Sequence, residues 1–310
     1  MGKVRRILDC TKSDFEKMSA LDLKESILAA EGRTILAQNY VGFTSGLIDG
    51  ITNTELEAAF GADMIMLNGY SLDESKEIPG LLGMRLKDVK KLVNRPIGIY
   101  LECPDPNSTV LGERREVTAD RIASAENIEK CLKEGADFVV LGGNPGTGTT
   151  FESIIAATKL AKNIVGDKIL IFAGKWEDGT VEKVLGDPLA KRLAKEVIKD
   201  LIDGGADVIT LPAPGSRHGI SIDMIRECVE FVHSYKPGTL AMVFLDSSVE
   251  GADVDTIRQI ALKMKETGAD IHAIGDGGYA GVTVPENLYQ LSITIRGRRL
   301  TWKRMAGNNR

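Results

Sequence analysis

The stretch GADMIMLNGY, Gly61 to Tyr70, sets the tripeptide glycine-alanine-aspartate directly before an apolar run. The same tripeptide opens FVVLGG from Gly135, VITLPAP from Gly205 and IHAIGDGG from Gly268. Each copy closes an amphipathic segment, so it reads as a helix stop followed by a strand, with glycine in the left-handed conformation that ends a helix. Four further apolar runs lie between these: TILAQNY from Thr34, PIGIYLECP from Pro96, KILIFAGKW from Lys168 and TLAMVFLDSS from Thr239. The marks recur every 63 to 74 residues, the length of two β/α units. That spacing predicts an α/β chain folded as a single (β/α)8 TIM barrel rather than a doubly wound sheet. Near-continuous apolar runs suit strands buried on both faces.

Working outward, SDFEKMSALDLKESILAAEGR reads as one amphipathic helix capped by Asp14 or Ser13, placed to close the bottom of the barrel. One domain over residues 1–310 is expected, with 1–32 a helical cap, 33–295 the barrel and 296–310 a basic tail. The tail carries Arg296, Arg298, Arg299, Lys303 and Arg304 and reads as solvated. A net charge of −5 and a pI near 5.5 argue against a nucleic-acid partner. No long apolar segment directs the chain to a membrane, and Cys10, Cys103, Cys131 and Cys228 are too scattered for a zinc ribbon or a disulfide framework. A cytoplasmic location follows from these readings. A homo-oligomer is compatible with them.

In a barrel of this kind the chemistry sits at the C-terminal strand ends. The polar residues there are Gln38, Asn39, Asn68, Glu102, Asn144, Lys175, Glu177, Arg217, His218, Asp246 and Asp276. Glu102, Lys175, His218, Asp246 and Asp276 are the catalytic candidates: a lysine for a carbonyl or phosphate, carboxylates and a histidine for protons. Gln38, Asn39, Asn68, Asn144 and Arg217 are the substrate-binding candidates. The alternative for the charged set is a ring of ion pairs that seals the barrel top. Glu102, Asp246 and Asp276 also offer hard oxygen ligands, which makes magnesium the candidate cofactor. Cys103 reads as a core filler.

Two glycine-rich loops compete as phosphate cradles. LGGNPGTGTTFES offers Gly143, Gly146, Gly148, Thr149 and Thr150 ahead of a helix, but Thr149 stands where a Walker loop needs lysine. GDGGYAGVTVPEN offers Gly277, Gly278 and Gly281, with Thr283 and Glu286 as a capping box. The structural alternative for both is a turn whose glycines permit positive φ.

The segments LDCTKSDFEKMSALDLKESILAAEGRTILAQ, ITNTELEAAFGADMIMLNGY and RPIGIYLECP resemble a bacterial (β/α)8-barrel family of unestablished function. Its members are often encoded with sugar phosphotransferase systems and are labelled phosphoenolpyruvate phosphonomutase-like or haloacid dehalogenase-like hydrolase. The chain lacks both the E-D-K plus K-x-C-G-H pattern of the first label and the D-x-D-x-[TV] pattern of the second. The resemblance and the two loops together imply an enzyme (lyase, isomerase or hydrolase) for a small phosphorylated carbohydrate or related metabolite. Two other readings stay open: a non-catalytic phosphometabolite-binding barrel that serves sugar transport as sensor or partner, and a magnesium-dependent carbon–carbon or carbon–phosphorus lyase.

Overall fold

A computed structural model describes residues 4–177, 179–277 and 280–307. Eight parallel strands close into a barrel in sequence order. They are β1 (Thr34–Tyr40), β2 (Met64–Asn68), β3 (Ile97–Glu102), β4 (Phe138–Gly142), β5 (Leu170–Ala173), β6 (Val208–Pro212), β7 (Leu240–Leu245) and β8 (Ile271–Ile274). The helices are α1 (Lys12–Phe15), α2 (Ala20–Leu28), α3 (Asn53–Ala59), α4 (Leu86–Leu92), α5 (Ala125–Glu134), α6 (Phe151–Val165), α7 (Ala194–Asp203), α8 (Ile222–Tyr235), α9 (Val254–Glu266) and α10 (Pro285–Ala306). The fold is the (β/α)8 barrel that the repeated tripeptide predicts. Among the described residues, no helix is long and apolar enough to cross a membrane.

The repeat has a physical cause beyond helix termination. Its glycines adopt φ of +102°, +81°, +106° and +81° at Gly61, Gly135, Gly205 and Gly268, which β-carbons disfavour. Its aspartates then each grip one residue of the preceding odd-numbered strand from both sides. Asp63 Oδ2 accepts the Ile35 N–H at 2.9 Å while the Asp63 N–H donates to Ile35 O at 2.8 Å. Asp137 does the same to Ile97, Asp207 to Ile171 and Asp270 to Ala241. Each carboxylate also has a cation or a histidine beside it: Arg296 for Asp63, Lys90 for Asp137, Lys24 for Asp207 and His233 for Asp270. The repeat is therefore a fourfold clamp at the strand starts, on the face opposite the expected site.

Strand alternation divides the core. Leu36, Met64, Met66, Tyr100, Phe138, Val140, Phe172, Met242 and Phe244 fill the barrel interior, whereas Ile35, Ile65, Ile99, Val139 and Val243 face the helices. Ile7, Leu8, Leu23 and Ile27 join the interior cluster and close its lower end. The expected single N-terminal helix is two short ones. Thr11 and Ser19 are the caps, and Asp14 and Asp22 reciprocate three residues on, so Asp14 serves a capping box and is not itself the cap.

The basic segment expected to be solvated is instead half buried. Residues 296–306 continue α10, whose Gly297 is non-helical at φ 75°. Arg296 lies against Asp63, Gly61 O and Arg33 O, and Arg304 against Asp63 and Cys10 O. Arg298, Arg299 and Lys303 remain exposed. A run of like charges misleads here because every third or fourth residue of a helix returns to the packed face.

Candidate active site

Above the interior core sits an aromatic floor. Trp176 stacks on Phe244 at 5.2 Å between ring centroids, and Tyr100 meets it edge-on at 5.8 Å. Gly142 makes room for this arrangement, since a β-carbon there would come within 2.8 Å of the indole ring. Over the floor opens a cavity of about 600 Å³ whose wall includes Glu102, Glu177, Asp246, Glu250 and Asp276 together with Arg115, Arg121 and Arg217.

Asp246 is the hub of the acids. Its Oδ2 accepts the Trp176 indole N–H at 3.1 Å and its Oδ1 accepts the Ser247 N–H at 2.6 Å, so both oxygens are held as acceptors. Ser247 and Ser248 follow at φ 75° and 65°, conformations that cost non-glycine residues of order 1–3 kcal/mol each and gather at functional sites. That turn brings Glu250 back to the same wall. Burial, and after it the charge of Asp246, pushes the Asp276 carboxyl up to about 7 and that of Glu250 up to about 8. Burial and Asp246 likewise hold Glu177 well above the usual carboxylate range, with a hydrogen bond between the two side chains adding to the effect. The cavity wall therefore sets Asp246, with a donor on each oxygen, beside three carboxyls whose hold on their protons is strengthened by burial and by its charge.

Amides orient this set. Asp276 Oδ2 accepts from Gln38 Nε2 at 2.6 Å and from Asn68 Nδ2 at 3.3 Å. Asn68 and Asn144 exchange side-chain hydrogen bonds, and Asn144 gives both its backbone N–H and its amide to Glu102. Glu102, raised chiefly by burial, is thus held by donors on both oxygens. Asn144 and Arg217 line the cavity, with Gln38 and Asn68 just behind.

Other expected residues stand elsewhere. Asn39 faces outward from β1 and donates to Glu57 of α3 at 2.7 Å. Lys175 is 4% exposed and outside the cavity lining; its Nζ donates to Thr180 Oγ1, Glu182 O and Glu182 Oε1. His218 is exposed and does not line the cavity. Cys103 is buried, and burial pushes its thiol up, as suits a core residue. Among the described residues no group of three or more His, Cys, Asp and Glu side chains is placed to hold a metal ion. Glu102, Asp246 and Asp276 share the cavity wall but do not meet as a cation site.

In both glycine loops the described glycines meet groups of the chain itself. At the start of α6, Thr150 is the cap, and the Phe151 N–H donates to Glu182 Oε1 at 2.7 Å, so the chain's own carboxylate takes the anion position. Gly146 O and Gly148 O accept backbone N–H groups from Arg115 and Asp105. A β-carbon on Gly143 would strike Thr149. In the second loop the Gly277 N–H donates to Glu250 Oε1 at 2.8 Å, and Gly281 O accepts from the Tyr40 N–H at 2.7 Å. Gly278 lies outside the described residues. The expected capping box is absent: Val284 is the cap of α10 and makes no side-chain cap bond, while Thr283 donates to Glu250 O.

Sequence reading passed over Glu250, Arg115, Arg121 and Tyr40. Two signals were there to find. Glu250 follows Asp246 by four residues in DSSVE, and Arg115 and Arg121 lie in the long connection between β3 and α5, the kind of loop that carries function.

Solved structures share the barrel at low identity. A 2,3-dimethylmalate lyase, described as a PEP mutase/isocitrate lyase superfamily member, is 12% identical with a TM-score of 0.50, over 83% of this chain and 81% of that one. The carboxyl transferase domain from Rhizobium etli pyruvate carboxylase with 3-hydroxypyruvate is 11% identical with a TM-score of 0.54, over 99% of this chain and 52% of that one. The chain thus spans about half the length of that second structure, and at these identities the likeness shows the fold alone. No curated protein matches the sequence. Residues 8–310 match a family described as a domain of unknown function, DUF7916.

Proposed function

The chain belongs to the DUF7916 family, and from its cavity we propose a proton-transferring barrel enzyme, a lyase or isomerase, for a small anionic, hydroxyl-bearing metabolite. One observation carries the reading: Asp246 shares a wall with Glu177, Glu250 and Asp276, three carboxyls raised by burial and by its charge, and with three arginines. A binding protein needs donors for its ligand; acids poised near the working pH are the equipment of proton transfer.

The roles divide by environment. Asp246, whose two oxygens accept from Trp176 and Ser247 and which is hydrogen-bonded to Glu177, is the base; it takes the substrate's proton, and the Glu177 carboxyl beside it steadies its charge until then. Asp276 accepts two amide donors on Oδ2, so its proton belongs on Oδ1, from which it returns to the product. Glu250 accepts the Gly277 N–H on Oε1 and carries its own proton on Oε2 as a second acid. Arg115, Arg121 and Arg217 supply the positive field for the substrate's anionic group and for negative charge developing on its oxygen. The resemblance to barrels encoded with sugar phosphotransferase systems makes phosphorylated compounds the first to test. The lyase among the structural neighbours supports the reaction class by analogy of fold only.

The test is a panel of three- to six-carbon sugar phosphates and phosphorylated hydroxy acids incubated with the protein in D2O, with and without magnesium, followed by proton NMR. Incorporation of deuterium at carbon or appearance of a new product, abolished in Asp246→Asn, is the expected result. Compounds that raise the melting temperature with neither exchange nor product would make the cavity a receptor site.

A further inference from the structure

Beside the carboxyl cavity lies a second chamber of about 340 Å³, whose wall includes Gly42, Gly69, Ser71, Lys76, Thr118 and Asp120. Tyr40, Phe43 and Arg121 line both spaces, so these three side chains form the boundary. Tyr40 is its anchored member. The Tyr40 hydroxyl accepts a hydrogen bond from Arg121 Nη1 at 2.7 Å, and the Tyr40 ring packs on Phe43 with centroids 4.4 Å apart. The rest of its seat is glycine: a β-carbon on Gly69 would come within 2.6 Å of the ring and one on Gly42 within 2.9 Å. Gly69 also sits at φ +71°, so the backbone there suits glycine on two counts. Phe43, by contrast, is 74% exposed and leans on Tyr40 for its place.

We propose that Tyr40 sets the length of substrate the cavity accepts, its ring closing off a chamber that a longer compound would otherwise enter. The inference rests on reading the carboxyl cavity as the substrate site. The chemistry of the second chamber says what would enter it. Lys76 Nζ lies 2.9 Å from Asp120 Oδ1, and Ser71 donates to the other oxygen of that carboxylate, so these charges neutralise each other. Glu77, exposed at the edge, opposes an anionic end. The fitting extension is an uncharged, hydroxyl-bearing chain, hydrogen-bonded by Ser71, Thr118 and Asp120, attached to an anion that remains on the arginine side.

Calorimetric titration of glycerol 3-phosphate and sorbitol 6-phosphate into wild type, Tyr40→Ala and Tyr40→Phe tests this. Tyr40→Ala is expected to shift the ratio of affinities toward the six-carbon compound by about tenfold or more, the scale on which pocket size discriminates. Tyr40→Phe keeps the ring and loses only the Arg121 bond, so its ratio should stay within about twofold of wild type. An unchanged ratio in a Tyr40→Ala protein with wild-type circular dichroism overturns the role of Tyr40 and leaves the substrate cavity standing. Failure of both compounds to bind wild type at about 10 mM counts against the cavity reading and removes this inference with it.

Discussion

Lys175 Nζ lies 3.1 Å from Glu182 Oε1, and the same carboxylate oxygen accepts the Phe151 N–H at the start of α6. The lysine is thereby a fastener between the β5–α7 connection and α6, and it also lies 5.6 Å from the centre of the Phe151 ring. Lys175→Met is expected to cost about 1–3 kcal/mol of stability, less than a fully buried pair because Glu182 is 28% exposed. Urea denaturation reads that loss. Turnover per folded molecule should stay close to wild type, and a hundredfold fall in kcat with unchanged stability would return Lys175 to the chemistry.

The fourfold clamp makes a graded prediction. Asp63→Asn keeps an acceptor for the Ile35 N–H but leaves Arg296 and Arg304, with side chains 0% and 3% exposed, without their counter-charge. A loss of about 3–5 kcal/mol is expected. Asp207→Asn removes a charge whose partner Lys24 is 17% exposed and can turn to solvent, so about 0.5–1 kcal/mol is expected. Equal losses in the two variants would place the cost in the hydrogen bond to the strand and not in the buried charge.

What was legible in the sequence follows from what is periodic. Gly-Ala-Asp recurs because helix stop and strand clamp recur, so the barrel and all eight strands could be read. Glu102, Asp246, Asp276, Asn144 and Arg217 could be placed at the cavity because each stands at a strand end or in the loop just beyond. Side-chain direction was not legible to the same degree. Asn39 is adjacent to Gln38 yet points to the opposite face of the strand, and Lys175 is adjacent to Trp176 yet turns from the cavity that Trp176 floors. The glycines of the two loops are ambiguous for a related reason: a glycine that lets a ligand approach and one that lets Thr149 or Glu250 approach have the same sequence.

Stability should fall as the pH rises from about 4 to about 8. Asp276 and Glu250 have folded-state values raised to about 7 and about 8, so the native state holds their protons where the unfolded chain has released them. Their favourable contribution is complete below the unfolded carboxylate range, declines through the interval and is lost above the folded values. Asp276→Asn and Glu250→Gln should each flatten the decline and raise stability at pH 8 relative to wild type. Urea midpoints between pH 4 and 9 measure it; an unchanged slope in both variants would mean that these carboxyls ionise normally in the folded protein.

The last prediction concerns Glu177 and Asp246 as a unit. They are buried neighbours that share a hydrogen bond, and Trp176 fixes Asp246 from below. Two carboxyls in that relation act as one unit, so removing either partner dismantles the same device. Glu177→Gln and Asp246→Asn keep volume and most hydrogen-bonding capacity, which separates loss of chemistry from loss of fold. Each is expected to lower kcat/KM by about 10² or more on whichever compound the deuterium screen identifies. The double variant should then be little worse than either single one, because groups that act as a unit are not additive. Multiplying penalties would show two independent contributions and break the pair apart. Single variants within a few-fold of wild type would go further and move the base to Asp276 or Glu250, the remaining carboxyls of that wall.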